Sequence, residues 1–116
     1  MKRYTEVAII LPNYNSYPFI ESTINSVVKQ TYSNWKLILV DDCSNEKTLT
    51  SLRKFKNHKK IKIFFLKKNH GAGYCRNYAI KKANSKYLAF IDSDDIWKKK
   101  KLEKQINFMK KMKYKF

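Results

Sequence analysis

Three carboxylates are packed into four positions of the sequence, at Asp92, Asp94 and Asp95. They follow the apolar run 87–91, whose length and composition predict a buried central strand. Carboxylates this close together repel one another unless water, hydrogen-bond donors or a cation lies between them. Since Mg2+ and Mn2+ bind one or two carboxylates together with substrate phosphates, the cluster predicts a divalent-metal site. The open alternative is an Asp- and Ser-rich turn that caps the next helix.

Two more polar clusters follow apolar runs of strand length. Asp41 and Asp42 come after 35–40, and the other cluster comes after 7–11 and consists of Pro12, Asn13, Tyr14 and Asn15. In a parallel sheet of order 3-2-1-4, all three clusters surround one crevice at the carboxyl ends of the strands, where such sheets bind ligands. Tyr14 can then stack on a flat base, and one of the neighbouring aspartates can accept a hydrogen bond from a base or ribose. The acidic cluster can meet a ribose and a metal-bound diphosphate.

The elements that must position these residues alternate along the chain. Apolar runs predict strands at 7–11, 35–40, 61–66 and 87–91. Helical spacing of apolar residues predicts helices near 19–30, 46–56, 73–83 and from 99 onward. The first helix carries an apolar stripe of Phe19, Ile20, Ile24, Val27 and Val28, and the last turns inward Leu102, Ile106, Met109 and Met112. Such alternation is typical of an α/β protein with a Rossmann-like open parallel sheet flanked by helices, here one domain over 1–116.

Charge is the most extreme feature of the composition. The formal net charge is +17, from 26 Lys and Arg against nine acids. It favours anionic partners such as nucleotides, nucleic acids or acidic lipid surfaces, although a Lys-rich genomic bias gives the same scatter of lysines. The lysine run 98–101 is interpreted as a solvated helix start, with contact to a membrane surface as the alternative.

The remaining features point to an intracellular chain. No apolar run approaches the roughly 20 residues of a membrane span, and the first residues do not have the layout of a signal peptide. Cys43 and Cys75 are far apart and lack partners at metal-ligand spacing, so reduced thiols are expected. We interpret His70 as a solvent-facing loop residue and both tryptophans, Trp35 and Trp97, as core residues.

The glycine-containing loop 69–73 allows two interpretations. With Arg76 it can bring backbone amides and a guanidinium toward phosphates, because a helix N-terminus attracts anions. A plain loop is the other interpretation. The loop is not a dinucleotide fingerprint, since it follows the third predicted strand and Arg76 stands where the last glycine belongs.

Five ordered segments carry a resemblance to a known family. They are 8–15, 26–32, 39–44, 73–77 and 90–95. In order and spacing they resemble the N-terminal half of family 2 glycosyltransferases of the GT-A fold, from about residue 7 to about residue 104. The resemblance implies a nucleotide-sugar-binding half-domain. Its implied donor-binding residues are Pro12, Asn13, Tyr14, Asn15, Asp41, Asp42, Arg76, Asp92 and Ser93.

The resemblance also implies roles for single residues. Pro12 and Tyr14 would lie against the nucleobase, Asp42 would accept from its ring N–H, and Arg76 would lie on the donor side. The family's DxD motif matches Asp92 and Asp94, of which Asp94 would coordinate Mn2+ or Mg2+ bridging the diphosphate, with Asp92 and Asp95 assisting. Cys43 stands where the family usually has Gly or Asn.

The family's acceptor-binding half and catalytic base follow its DxD strand, whereas this sequence ends at Phe116. We therefore predict donor and metal binding with little or no transfer by the chain alone, and no catalytic base within it. The reaction expected from the family is inverting transfer from a nucleotide sugar, most commonly a UDP-sugar, to a saccharide or lipid-linked acceptor. Further expectations are self-association through an uncovered sheet face or edge and a cytoplasmic location, with peripheral association at the inner face of the membrane.

Two other functions fit part of the sequence. A basic nucleic-acid-binding module would explain the charge and the aromatic content, but the three acidic clusters would face a phosphate backbone with the wrong sign. A receiver-type signalling domain needs an acidic pair after its first strand, where this chain has Pro12 and Asn13. Both are therefore weaker hypotheses than a glycosyltransferase.

Overall fold

The computed structural model describes residues 5–112. Strands and helices alternate over that range, as the apolar patterning predicts. In chain order they are β1 (Thr5–Asn13), α1 (Ile20–Val28), β2 (Trp35–Asp41), α2 (Glu46–Arg53), β3 (Ile61–Phe65), α3 (Ala72–Lys82), β4 (Ser85–Phe90) and α4 (Lys101–Met112). The α/β prediction is confirmed.

The four strands form one parallel sheet in the order β3-β2-β1-β4. Ile9 at the middle of β1 lies opposite Leu37 of β2 and Ala89 of β4. The predicted strand order is confirmed. Because all strands run in the same direction, the loops that follow β1, β2 and β4 leave the sheet at the carboxyl ends of the strands. The polar clusters of the sequence lie in these loops.

Helices cover both faces of the two central strands. On one face Ile9, Leu11 and Leu39 pack with buried residues of α1, α2 and α4, among them Ile24, Leu52 and Leu102. On the other face the core is smaller and contains Ala8, Ile10, Ile38, Val40, Cys75 and Ala79, the last two from α3. Burial on both faces explains why β1 and β2 are nearly continuous apolar runs.

Three expectations about burial were wrong. β4 is an edge strand rather than a central one, and its side chains Leu88 and Phe90 are 43% and 52% exposed. They lie opposite Ala8 and Ile10 and so share the face of α3, but they are outside the cluster that this helix covers. Met112 is half exposed at the end of α4. Two members of the predicted apolar stripe of α1 are also exposed: Phe19, which precedes the first turn, and Val28, the last residue of the helix. An apolar pattern in the sequence does not show which other helix or strand, if any, covers those side chains.

A buried polar stripe on α1 holds the segment that follows β4. Thr23 Oγ1 donates to the carbonyl of Ser93 at 3.0 Å, and Ser26 Oγ accepts from the amide of Trp97 at 3.1 Å. Gln30, just after the helix, donates to the carbonyl of Lys98 at 2.7 Å. These contacts fix both ends of the stretch that includes the acidic cluster.

Both tryptophans are core residues, as predicted, with Trp35 3% and Trp97 8% exposed. From Thr5 to Met112, the helices are all too short or too polar to span a bilayer.

Candidate functional site

A cavity of about 200 Å3 lies where the sheet's carboxyl edge meets the start of α3. Its walls come from the ends of β1 and β4, the residue after β2 and the first turns of α3. The lining residues are Pro12, Asn13, Tyr14, Asp42, Ala72, Cys75, Arg76, Asp92 and Ser93. Seven of the nine donor-binding residues predicted from the sequence are in this lining; Asn15 and Asp41 are not.

Asp42 joins the cavity to the loop in front of α3. Its side chain is nearly buried, and its two carboxylate oxygens accept from the backbone amides of His70 at 2.7 Å and Gly71 at 2.8 Å. The amide of Asp42 donates to the carbonyl of Asn13 at 2.8 Å, which ties the ends of β1 and β2 together. The glycine loop therefore directs these two amides at Asp42, while Gly71 adopts a positive φ of 94° that favours glycine.

Asp41 is fully buried and stabilises the neighbouring loops. It lies opposite Asn13 in the strand register and accepts from its Nδ2 at 2.9 Å. It also accepts from Ser44 Oγ at 2.6 Å and from the Ser44 amide at 3.0 Å. Asn15, the other predicted residue outside the lining, accepts from the amide of Asn45 at 2.7 Å. Both side chains hold the loops that carry Tyr14 and Asp42.

The mouth of the cavity combines one cation, one anion and one aromatic ring. An Arg76 guanidinium nitrogen lies 3.9 Å from an Asp92 oxygen, and because the Arg76 side chain is partly exposed and that of Asp92 largely exposed, the pair contributes little to stability. Tyr14 is 52% exposed. A free aromatic face and a solvent-accessible guanidinium can meet a planar base and a phosphate, respectively.

The acidic cluster does not cap α4. Asp95 accepts from the amide of Asp92 at 3.2 Å within its own turn, and α4 begins six residues later at Lys101. The first turn of α4 is instead capped from α1's side of the core, since the amide of Leu102 donates to Gln30 Oε1 at 3.0 Å. The capping interpretation of the cluster is therefore wrong, and Asp92, one of its exposed carboxylates, lines the cavity.

Comparison with known proteins agrees with this geometry. The family model described as glycosyl transferase family 2 matches residues 8–116. This chain belongs to glycosyltransferase family 2.

Relatives within the family are longer than this chain. It is 44% identical over 105 residues to the Escherichia coli UDP-Glc:alpha-D-GlcNAc-diphosphoundecaprenol beta-1,3-glucosyltransferase WfgD, and the match covers 90% of this chain and 41% of WfgD. The chain thus spans well under half the length of such relatives.

Solved structures show the same fold. Residues 1–349 of Staphylococcus aureus TarS, solved in complex with UDP-GlcNAc, superpose with a TM-score of 0.85 at 34% identity, and the match covers 91% of this chain and 31% of that TarS chain. The mannosyltransferase PcManGT from Pyrobaculum calidifontis, in complex with GDP-Man and Mn2+, has a TM-score of 0.73 at 23% identity and covers 82% and 29% of the two chains, which shows the fold alone. The GT-A fold expected from the sequence is confirmed.

The donor set beside the cavity fits a metal that is completed by a ligand. Within 5–112, no three His, Cys, Asp or Glu side chains are grouped to hold an ion by themselves. Mg2+ and Mn2+ do not need such a group, since they keep waters and use one or two carboxylates plus substrate phosphates. Asp92 and Asp94 offer exposed hard oxygens of that kind.

Neither cysteine is a nucleophile candidate at this site. Burial, with the nearby Asp42 carboxylate as the second cause, raises the pKa of the Cys75 thiol to about 12, so the thiol stays protonated. Cys43 is exposed and lies outside the cavity, with φ at 64°. That backbone conformation is the physical reason that Gly or Asn suits this position.

Replacing Cys43 by glycine is expected to stabilise the protein by about 0.5–1 kcal/mol, because the β-carbon is strained at a positive φ. The lost contact of Cys43 Sγ with the Lys67 carbonyl, at 3.5 Å, is too weak to cancel the gain. The measurement is the urea midpoint of wild type, Cys43→Gly and Cys43→Ala. Alanine keeps the β-carbon, so equal stabilisation by alanine would show that the thiol, not the backbone, is responsible.

The sequence interpretation missed the polar residues that hold this site. Four of these residues hydrogen-bond to the site loops or to the segment after β4: Ser44, Thr23, Ser26 and Gln30. The signal available in the sequence was the helical spacing of the last three: Thr23 and Ser26 lie on the buried side of α1, and Gln30 is buried just after the helix ends.

Proposed function

We propose that this chain binds a nucleotide-sugar donor, with a divalent metal, as the donor-binding part of a glycosyltransferase. The observation that carries the proposal is the cavity at the carboxyl ends of β1, β2 and β4, because it gathers an aromatic ring, a buried carboxylate, a guanidinium and an exposed carboxylate. A nucleoside diphosphate has a complementary group for each of them. Family membership and the TarS structure with UDP-GlcNAc support the same donor class.

In this proposal Pro12 and Tyr14 pack against the base, and Asp42 accepts from a ring N–H. Asp42 already accepts two backbone amides, but a carboxylate has about four lone-pair sites and keeps capacity for a further donor. The loop amides and the ligand would thus share one fixed acceptor. Arg76 would pair with a phosphate, and Ser93, Asn13 and Asp92 would line the sugar side of the cavity. Asn15 and Asp41 serve this site by holding its loops.

The metal of the proposal is Mn2+ or Mg2+, held by Asp94 with Asp92 and assisted by Asp95. Such a cation supplies charge compensation for the diphosphate as it becomes the leaving group. These side chains would hold it from an anchored loop, because Thr23 and Ser26 fix the backbone at Ser93 and Trp97. Fixed ligands are a condition for a well-ordered site.

The proposed transfer is inverting, to a saccharide or lipid-linked acceptor. It needs a base that takes the acceptor's proton, and the carboxylates at the cavity are all used on the donor side of this proposal. We therefore expect donor binding with little or no transfer by the 116-residue chain. Self-association is also part of the proposal, because β4 is an edge strand of the sheet that residues 5–112 form. Light scattering at high concentration tests it, since a monomer would contradict it.

Calorimetric titration of UDP into the purified chain tests the donor proposal. We expect binding in Mn2+ that weakens at least about tenfold in EDTA, and an equal weakening in Mn2+ for Asp94→Ala, since one metal ligand is lost. Glu46→Ala is the matched control, because it removes an exposed carboxylate on α2 that forms an ion pair with Arg53 at 2.8 Å, away from the cavity.

The outcomes separate the parts of this proposal. UDP affinity that is the same in Mn2+ and in EDTA, and the same for Asp94→Ala, would contradict the metal site but leave the donor site standing. Binding of GDP but not UDP would keep the site and change the base. A folded chain that binds neither nucleotide would contradict the proposal.

A further inference from the structure

The segment between the acidic cluster and α4 presents an apolar side chain among lysines. Ile96 is 62% exposed, the highest exposed fraction among the large hydrophobic residues of the described chain, and the neighbouring Trp97 is buried. Lys98, Lys99 and Lys100 follow directly and are exposed. A single exposed isoleucine is ordinary, so the feature of interest is the cluster of lysines that accompanies it.

Two surface cavities meet at this point, with volumes of about 550 and 440 Å3. Ile96 and Trp97 line both of them. Together the two linings contain six lysines and one carboxylate, that of Asp95. The lysines are Lys29, Lys98, Lys99, Lys100, Lys101 and Lys104. We call these lysines and Ile96 the basic surface.

The backbone under the basic surface is anchored, so the exposure of Ile96 does not come from a loose loop. The Trp97 amide donates to Ser26 Oγ at 3.1 Å, and the Lys99 carbonyl accepts from the Thr31 amide at 2.9 Å. The Lys98 carbonyl accepts from Gln30 at 2.7 Å. The fold therefore holds the backbone that carries Ile96 and the lysines after it in one arrangement.

From this arrangement we propose that the basic surface docks the protein on an anionic lipid bilayer, with Ile96 inserted among the headgroups. Clustered lysines are attracted to anionic headgroups, and stable binding takes a second signal, which an inserted apolar side chain supplies. A single-stranded nucleic acid would also meet the charge but gives no partner for an aliphatic tip, since it is bound through aromatic stacking. The proposal is independent of the donor site, because docking needs neither UDP nor a metal.

Docking here would place the candidate site at the membrane. Asp95 belongs both to the acidic cluster and to the lining of the basic surface, so the two regions are continuous. A lipid-linked acceptor would then be held near the donor cavity.

Cosedimentation with vesicles tests the proposal. We expect binding to vesicles of phosphatidylcholine with phosphatidylglycerol and not to phosphatidylcholine alone. The triple variant Lys98→Gln, Lys99→Gln, Lys100→Gln is expected to weaken binding about a hundredfold, since each lysine near such a surface contributes about fivefold. Ile96→Ser is expected to weaken it about fivefold to tenfold through the lost insertion. All four side chains are exposed, so the variants keep the fold.

The matched control removes the same charge from the opposite edge of the sheet, with Lys56→Gln, Lys59→Gln and Lys62→Gln, three exposed lysines around the start of β3. We expect it to change binding less than about threefold. Equal weakening by both triple variants would overturn the proposal, because binding would follow net charge alone. So would an Ile96→Ser protein that binds like wild type, or a chain that binds a single-stranded oligonucleotide but no vesicle.

Discussion

Asp42→Ala is expected to lower the free energy of unfolding by about 3 kcal/mol and to abolish UDP binding. The first effect follows because two backbone amides, those of His70 and Gly71, lose a charged acceptor at 2.7 and 2.8 Å, and such bonds contribute about 1.5–3 kcal/mol each. The second effect follows because the same carboxylate lines the cavity and is the proposed acceptor for the base. Urea unfolding and calorimetric titration with UDP and Mn2+ measure the two effects separately.

Two further variants separate the structural and binding roles of Asp42. Asp42→Asn keeps one acceptor oxygen but places an amide N–H₂ against a backbone N–H, so it is expected to lose about half the stability that alanine loses. Asp95→Ala is the control, because Asp95 is an exposed carboxylate of the same site and accepts one amide at 3.2 Å. We expect it to cost less than about 1 kcal/mol. A stable Asp42→Ala protein with unchanged UDP affinity would contradict both assigned roles.

The sequence predicted the fold because its signals are local. Apolar runs ended by turn residues mark each strand, and the alternation of strands with helical patterns allows few arrangements other than a parallel sheet. The grouping of residues at the candidate site was predictable for a similar reason, since residues at the carboxyl ends of parallel strands lie close together. Hence Pro12, Tyr14, Asp42 and Asp92 lie around one cavity, as expected.

The distinction between Asp41 and Asp42 was not available from the sequence. Adjacent residues at the end of a strand point to opposite sides, and the pattern does not show which side faces the ligand. The register decides it: Asp41 lies opposite Asn13, accepts three hydrogen bonds from Asn13 and Ser44 and is fully buried, whereas Asp42 lines the cavity. The exposure of Leu88 and Phe90 has a similar cause, because cover by a neighbouring element is a long-range property.

Long-range hydrogen bonding is also why the polar stripe of α1 was missed. Polar residues at helical spacing usually face solvent, and the partners of Ser26 and Gln30 are about 70 residues away in the chain. A buried polar side chain needs a hydrogen-bond partner. Here the partners are backbone groups of the irregular segment before α4, which have no partners within a strand or helix. The polar stripe and the irregular segment satisfy each other's hydrogen-bonding groups, so the burial of one cannot be predicted from the sequence without the other.

That mutual dependence makes Gln30→Leu the second large prediction. Leucine fills much the same space but leaves the Leu102 amide without its Gln30 acceptor at 3.0 Å. It also removes the Gln30 donor at 2.7 Å from the Lys98 carbonyl, which keeps the Lys101 amide at 3.0 Å. Because Gln30 is 7% exposed, water cannot readily replace it, and we expect a loss of about 2–4 kcal/mol in urea unfolding. The loss is expected to be local first, so the Leu102 amide should exchange its hydrogen faster before the sheet unfolds.

Gln105→Leu is the matched control, since it makes the same chemical change at an exposed position of α4 and is expected to cost less than about 0.5 kcal/mol. Equal losses of unfolding free energy in the two variants would show that the apolar substitution itself, and not the loss of the Gln30 hydrogen bonds, is responsible. Faster exchange at Leu102 with unchanged exchange in β1 would locate the effect at the start of α4. The buried side chain of Gln30 would then hold both the acidic cluster and the basic surface, because the 93–102 segment carries residues of both.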